Sequence, residues 1–357
     1  MYIIHNSMKA ARIIKPKEPL RIEELNTPNP KGNQVLVRVK ASGVCHSDIH
    51  LWEGGYAGPR DTFMRVEDRG VKFPLTPGHE IAGIVERIGD DVIGISEGDE
   101  VLVYPWIGDG SCPACVVGEE NLCDRPRSLG IFQDGGYAEY VLVPHQKYLI
   151  SIKGLEPEQA ASLACSALTA YTALKNSMVK AQELLVIVGA GGLGLIAVQL
   201  ARALVGSNIA VIDLDDKRLD EAKRLGADVV INAKSRDAVK EVKDITNGLG
   251  ADAVIDFVNS SSTVARDIDM LRKRGRLILV GLFGGAVELN LPLIPLRAFK
   301  IIGSYTGKYA DLVELVALAK RGMVKSIVAK RFKLDEANDA ITQLKEGKII
   351  GRAIISP

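Results

Sequence analysis

Three cysteines crowd one short stretch, DGSCPACVVGEENLC: Cys112, Cys115 and Cys123. Thiols at this spacing suit a structural zinc, which takes four ligands in a tetrahedron. The thiols run out at three, so the fourth corner must come from another donor, and Glu119, Glu120 and Asp124 are carboxylates close at hand. Two more thiols, Cys45 and Cys165, stand far away in the chain. Cys45 opens the run CHSDIH, and a second imidazole–carboxylate pair occurs in PGHE at residues 77–80. A separate chemistry is written at Gly189-Ala190-Gly191-Gly192-Leu193-Gly194, a G-x-G-x-x-G run. An apolar strand, ELLVIVG, leads into it, a helix pattern, LGLIAVQLARALV, leaves it, and Asp213 closes the next strand 24 positions beyond Gly189. Such glycines let backbone N–H groups approach a pyrophosphate at a helix N-terminus. Asp213 suits two ribose hydroxyls and repels a 2′-phosphate, which predicts NAD rather than NADP.

These residues need a scaffold of some size. A chain of 357 residues exceeds one ordinary core and suits two domains. From about residue 8 to 150, short β-branched runs broken by Gly and Pro (QVLVRVKASG, IAGIVERIG, DEVLVYP, YAEYVLVP) predict an antiparallel, barrel-like domain. From about 167 strands and helices alternate, which predicts a parallel sheet covered on both faces. In that part a helix is predicted near TVARDIDMLRKRG, leading to the strand RLILVGLF. After about 304, DLVELVALAKRG and LDEANDAITQLKEG read as amphipathic helices and GRAIISP as a closing strand.

The net charge of +1 offers no basic excess for a nucleic-acid partner. The uncharged run Leu184–Ala201 has the length of a membrane span, but its central glycines break it into strand, turn and helix. The N-terminus lacks a signal-peptide layout, and Met8 offers an alternative start to Met1. Five cysteines, an odd number, argue against a disulfide framework and for metal ligation or catalysis. A cytoplasmic protein is expected, without a membrane or nucleic-acid partner.

GVCHSDIH, PGHEIAGIVERIG, the three-cysteine lobe, GGYAEYVLVP, GAGGLG and GRAIISP together resemble the zinc-containing medium-chain alcohol dehydrogenases, the archaeal type in particular. The resemblance runs over nearly the whole chain. It implies an α/β fold: a doubly wound Rossmann sheet for NAD at 167–304 and a discontinuous, GroES-like, β-rich catalytic domain at 1–166 and 305–357. It implies two zinc ions. The catalytic ion falls to Cys45, His79 and Cys165 in the cleft between domains, with one position open for substrate. The structural ion falls to a ligand-x₂-ligand-x₂-ligand-x₇-ligand lobe, which counts back from Cys112 to Asp109 as the fourth ligand beside Cys112, Cys115 and Cys123.

Further roles follow from the resemblance. Asp48 orients the ligating histidine, and Glu80 sits behind the metal as a transient ligand. Ser47 and His50 carry the alcohol's proton out through the nicotinamide ribose. His46 and Arg352 meet the pyrophosphate, Arg218 the adenosine ribose, and the backbone near Val280 the nicotinamide carboxamide. The chemistry implied is oxidation of a small alcohol to an aldehyde or ketone, reversibly, with zinc as Lewis acid and hydride passing to NAD. Relatives are dimers or tetramers, and a tetramer is expected.

One departure is the segment 54–73. It puts His79 34 residues after Cys45, further than in the shorter members of the family, and is expected at the substrate pocket or a subunit contact. Trp52 and Trp106 are candidates for the pocket wall or the core. A polyol or sugar dehydrogenase of the same superfamily is the close alternative. A non-catalytic NAD- and zinc-binding protein is the distant one, and it predicts decayed metal positions, whereas all seven are filled here.

Overall fold

The computed structural model describes residues 6–357; the opening MYIIH, with Met1 of the two candidate starts, lies outside the described residues. Short β-branched runs become strands where both faces can be buried. The order across the larger sheet is Val328–Lys333, Arg352–Ser356, Val35–Val44, Glu80–Ile88, Glu100–Val103 and Leu149–Ser151, with Tyr140–Val143 also pairing on Val35–Val44. The pairings are antiparallel except that between the two C-terminal strands. The chain's last strand thus lies beside the strand that ends at Val44, with Ala353 opposite Val44, so the tail borders the run that opens at Cys45.

The second sheet is parallel throughout. Its order is Val229–Asn232, Asn208–Asp213, Leu184–Val188, Ala251–Asp256, Leu271–Leu279 and Lys300–Gly303. Numbered along the chain, that is third, second, first, fourth, fifth, sixth. This is the doubly wound order whose switch point, beside the first strand, opens a crevice for a dinucleotide. Leu184–Val188 is buried along its whole length, as a central parallel strand must be. The uncharged run resolves at its glycines into that strand and the helix Gly192–Leu204. Among the described residues no helix is long and apolar enough to cross a membrane.

The structure departs from the sequence reading at LRKRG. The helix ends at Met270, and Leu271 already pairs with Ala251 in the parallel sheet. Leu271 is buried there, so burial outweighs the helical pattern of the charged residues that follow. One buried cluster joins the two halves: Trp106, Leu163 and Leu168 share it with Ile187, Val211 and Ile278. Cys45 and Cys165 belong to the same cluster, so these two thiols sit where the two sheets meet.

Candidate active site

Cys45 ends a strand and caps the helix His46–Glu53. His79 and Glu80 begin the neighbouring strand Glu80–Ile88, and Cys165 precedes the helix Ser166–Ser177. Three distant stretches therefore converge. The Sγ atoms of Cys45 and Cys165 are 4.0 Å apart. One ligand atom from each of Cys45, His79, Glu80 and Cys165 falls within 4.8 Å of the others, and all four residues are buried. Neither ring nitrogen of His79 has a hydrogen-bond partner, although the ring is fully buried. Hydrogen bonding with Cys165 holds the Cys45 thiol well below its usual pKa, against burial and with help from His79. The set has the chemistry of a zinc site, two sulfurs and an imidazole with a carboxylate behind, and zinc fits it.

Two carboxylates back this group. Asp48 Oδ1 lies 3.4 Å from His79 Nδ1. Its Oδ2 accepts from the Cys45 N–H at 2.8 Å and from the Tyr137 hydroxyl at 3.0 Å, so one buried side chain fixes both ligands. Glu80 accepts from the Ser166 N–H at 3.1 Å and pairs with Arg352, while its Oε2 is buried and unpartnered. Burial raises the Glu80 pKa, with Arg352 opposing. Gly43 makes room for this carboxylate: a Cβ there would come within 1.9 Å of Glu80 Oε2.

The glycine turn lies across the same cleft. Gly189 has φ +93°, and Gly191 caps the helix Gly192–Leu204. A Cβ on Gly194 would meet the Gly189 carbonyl oxygen at 1.9 Å, so the turn closes only with glycine there. Beside Gly191 there is open space, the cradle a dinucleotide needs, and NAD fits it. Asp213 accepts from the N–H groups of Ala190, Leu214 and Asp215 at 2.6, 2.7 and 3.0 Å. Its carboxylate is thus fixed at the rim of the cradle. Arg218 donates to the Gly347 carbonyl at 3.1 Å, and its Nε is buried and unpartnered. Arg352 reaches from Glu80 to the turn, where a Cβ on Gly192 would meet its Cδ at 2.7 Å.

One cavity of about 440 Å³ holds these parts together; Cys45, His46, Ser47, His50, Cys165, Gly189, Gly191, Gly192, Leu193, Gly194, Asp213, Arg218, Val280 and Arg352 all line it. Ser47 Oγ is 3.9 Å from Cys45 Sγ. His46 is exposed, with its ring 5.6 Å from that of Phe283. His50 is half-buried against Tyr56, ring centroids 4.6 Å apart, and burial lowers its pKa.

The lobe brings Asp109, Cys112, Cys115 and Cys123 within 4.8 Å of one another by one ligand atom each. Asp109 Oδ1 accepts from the N–H groups of Ser111 and Cys112 at 2.8 and 2.9 Å, and Oδ2 from Arg125 Nε at 2.9 Å. Of the rival carboxylates, Glu120 is occupied elsewhere, by Gly108 N–H, the Tyr148 hydroxyl and Lys147 at 3.0, 2.7 and 2.9 Å.

Sequence reasoning reached the cavity wall only in part, through Trp52, Trp106 and the 54–73 segment. Trp106 lines the cavity, its ring 5.4 Å from that of His79, while Trp52 packs under Lys345 outside it. Tyr305, Ile131, Phe132, Val66 and Val71 also line it. No motif spacing marks these residues; the fold alone assembles them. The 54–73 segment sends Tyr56, Val66, Arg69 and Val71 to this wall.

Comparison with known proteins agrees with this architecture. Residues 31–154 match the alcohol dehydrogenase GroES-like domain and residues 192–321 the zinc-binding dehydrogenase family. The NAD-dependent alcohol dehydrogenase of Sulfurisphaera tokodaii is 47% identical over 351 residues, 98% of this chain and 100% of that protein. The D-arabinose 1-dehydrogenase (NADP(+)) of Saccharolobus solfataricus is 34% identical, over 98% of this chain and 97% of its own length. The crystal structure of the alcohol dehydrogenase from Aeropyrum pernix superposes with a TM-score of 0.90 at 37% identity, covering 98% of this chain and 100% of that one. The expected fold class, a Rossmann sheet with a GroES-like β-rich domain, is borne out, and the chain belongs to the zinc-containing medium-chain alcohol dehydrogenase family.

Proposed function

We propose that this chain is an NAD-dependent zinc alcohol dehydrogenase that oxidises primary or secondary alcohols to aldehydes or ketones, reversibly. The observation that carries the reading is His79. Both ring nitrogens are buried without a hydrogen bond, Nδ1 only facing Asp48 Oδ1 at 3.4 Å, and a ligand atom of the ring lies within 4.8 Å of the Cys45 and Cys165 thiols, which line the cavity that also holds the glycine turn. An unsatisfied buried polar group costs about 1–3 kcal/mol, and a cation held by Cys45, His79 and Cys165 removes that cost. Zinc bound there supplies Lewis acidity toward the substrate oxygen.

The chain's own residues do the remaining work. Asp48 sets the His79 ring and the Cys45 backbone together. Glu80 keeps a free Oε2 as a reserve ligand. Ser47 takes the alcohol proton and His50 passes it to solvent; an imidazole suits that exchange near neutral pH. The glycine turn, His46 and Arg352 hold the pyrophosphate, Asp213 and Arg218 the adenosine ribose, and the Val280 backbone the nicotinamide. Trp106, Tyr305, Ile131 and Phe132 keep water from the reacting carbon. A wall of this kind favours alcohols with apolar chains over the sugar or polyol reading.

A second zinc is assigned to Asp109, Cys112, Cys115 and Cys123. The domain limits proposed are 1–166 with 305–357 and 167–304, a division that the two separate sheets support. Lys300–Gly303 is the edge of the parallel sheet, and Leu291 and Leu296 near it are 67% and 70% exposed. That edge suits a second copy of the chain, as in the expected tetramer. Five free cysteines suit the reducing cytoplasm.

The test is Cys45→Ser in the zinc-loaded protein, assayed for oxidation of n-hexanol and for NAD binding by fluorescence titration. Turnover should vanish and NAD binding should persist. Retained turnover refutes the assignment.

A further inference from the structure

We infer that Arg69 selects the substrate, favouring alcohols and carbonyls that carry a carboxylate at the end remote from the reacting carbon; this deepens the dehydrogenase reading and rests on it. The wall beyond the metal is aromatic and aliphatic. From His79 it runs to Trp106 at 5.4 Å between ring centroids and on to Tyr305 at 5.9 Å. Tyr56 and Arg69 follow on the same cavity lining. Cations that meet the cofactor, such as Arg218 and Arg352, lie on the other side, with the glycine turn and Gly347. Lys345, which also lines the cavity, is paired with Glu53, so Arg69 is the unpaired guanidinium beside this wall.

Its placement is built in. The turn Glu67–Arg69 closes through Arg69 N–H on the Val66 carbonyl at 3.0 Å, and Gly70 follows at φ +94°. Val66 and Val71, 2% and 5% exposed, anchor the turn on either side. The guanidinium carbon then sits 5.8 Å from the Tyr56 ring centroid. That contact engages the guanidinium with Tyr56, and the N–H groups it does not use can meet a planar, bidentate acceptor. Among the described residues Arg69 has no ion pair, whereas its neighbour Glu67 is taken by Arg65. Arg69 is exposed, and an unpaired cation at the mouth of an apolar cavity attracts an anion through a charge-assisted contact that salt weakens.

The test compares three alcohols of one chain length on the zinc-loaded enzyme with NAD: n-hexanol, ω-hydroxycaproate and ω-aminohexanol. The expected order of kcat/KM is anion, then neutral, then cation. In Arg69→Gln the ratio of ω-hydroxycaproate to n-hexanol should fall about tenfold, equivalent to about 1.4 kcal/mol. Arg69→Lys should keep part of the preference, and rising salt should erode it in the parent. If Arg69→Gln leaves the ratio unchanged while n-hexanol is oxidised, the inference is overturned and the dehydrogenase reading stands. If the parent oxidises none of the three, that reading fails and this one with it.

Discussion

Removing the carboxylate of Asp109 isolates the question of what holds the lobe. Residues 108–124 contain only the four-residue helix Pro113–Val116 and a three-residue turn, and Val116, Val117 and Leu122 are 73%, 69% and 50% exposed. Such a segment has little core of its own, so on the proposed reading a bound metal supplies its order; structural zinc contributes about 10–16 kcal/mol in small zinc-dependent folds. Loss of a hydrogen bond to a ligand already costs about 10–100-fold in affinity, so loss of a ligand should cost more than about 100-fold, or about 2.7 kcal/mol. Asp109→Ala also frees the N–H groups of Ser111 and Cys112 and releases Arg125. Asp109→Asn separates these effects, because its amide oxygen still accepts the two N–H groups while the anionic donor is lost. The assay is zinc per chain by elemental analysis, with the rate of release to a chromogenic chelator. The parent should hold close to two zincs, Asp109→Ala and Asp109→Asn should release one quickly, and Asp109→Cys should hold it longer. Glu120→Gln should leave the count alone. A parent holding only one zinc, or an Asp109→Ala chain that releases its zinc at the parent's rate, refutes the argument.

Two other outcomes follow from the same geometry. Asp213→Gly removes the anion that repels a 2′-phosphate, so the ratio of kcat/KM for NADP to that for NAD should rise by about 10–100-fold; an unchanged ratio sinks the ribose assignment. Some loss of NAD affinity should accompany it, since three backbone N–H groups lose their acceptor. Asp267 is fully buried on the helix Ser261–Met270, and burial, with Asp256 nearby, raises its pKa well above the usual carboxylate range. Burial favours its protonated form in the fold over the unfolded chain, although the Arg266 guanidinium, which donates to its Oδ1 at 3.0 Å, opposes the shift. Stability therefore falls as pH climbs from the unfolded pKa, about 4, toward the raised folded value, by up to about 1.4 kcal/mol per pH unit. Asp267→Asn should flatten that decline and raise the melting temperature at neutral pH; a parallel decline in both proteins refutes it.

Legibility in the sequence followed distance along the chain. The strand–glycine–helix turn and Asp213 were readable because one βαβ unit fixes their relative places, and the structure puts Asp213 on the Ala190 N–H. The three lobe thiols were readable for the same reason. The fourth corner was readable only through the family's ligand spacing, which counts back to Asp109; in the fold Asp109 stands with the three thiols, while Glu120 bonds to Gly108, Tyr148 and Lys147. Cys165 alone reads as a buried thiol, and its pairing with Cys45 needs the whole fold. Tyr305, Ile131 and Phe132 carry no spacing signal, and Tyr137, which holds Asp48, carries none either. The misread LRKRG shows the converse, a helical pattern overruled by a place in a buried sheet.

The arrangement of Glu80 and Arg352 gives a reason for the chain to return to its first sheet after completing the second. Arg352 lies one residue before Ala353, which pairs with Val44 in the closing strand. From that position its side chain spans from the carboxylate behind Cys45 to the turn at Gly192. A domain that ended before the tail would leave Glu80 buried with neither the cation nor the N–H groups to offset its desolvation, since Ser166 alone donates to it otherwise. The carboxylate would then protonate and lose its value to a metal. Gly43 belongs to the same arrangement, because a side chain there would displace Glu80 from Arg352. The metal group and the nucleotide turn, far apart in sequence, are thus joined through one buried ion pair, and the discontinuous topology is what makes that pair possible.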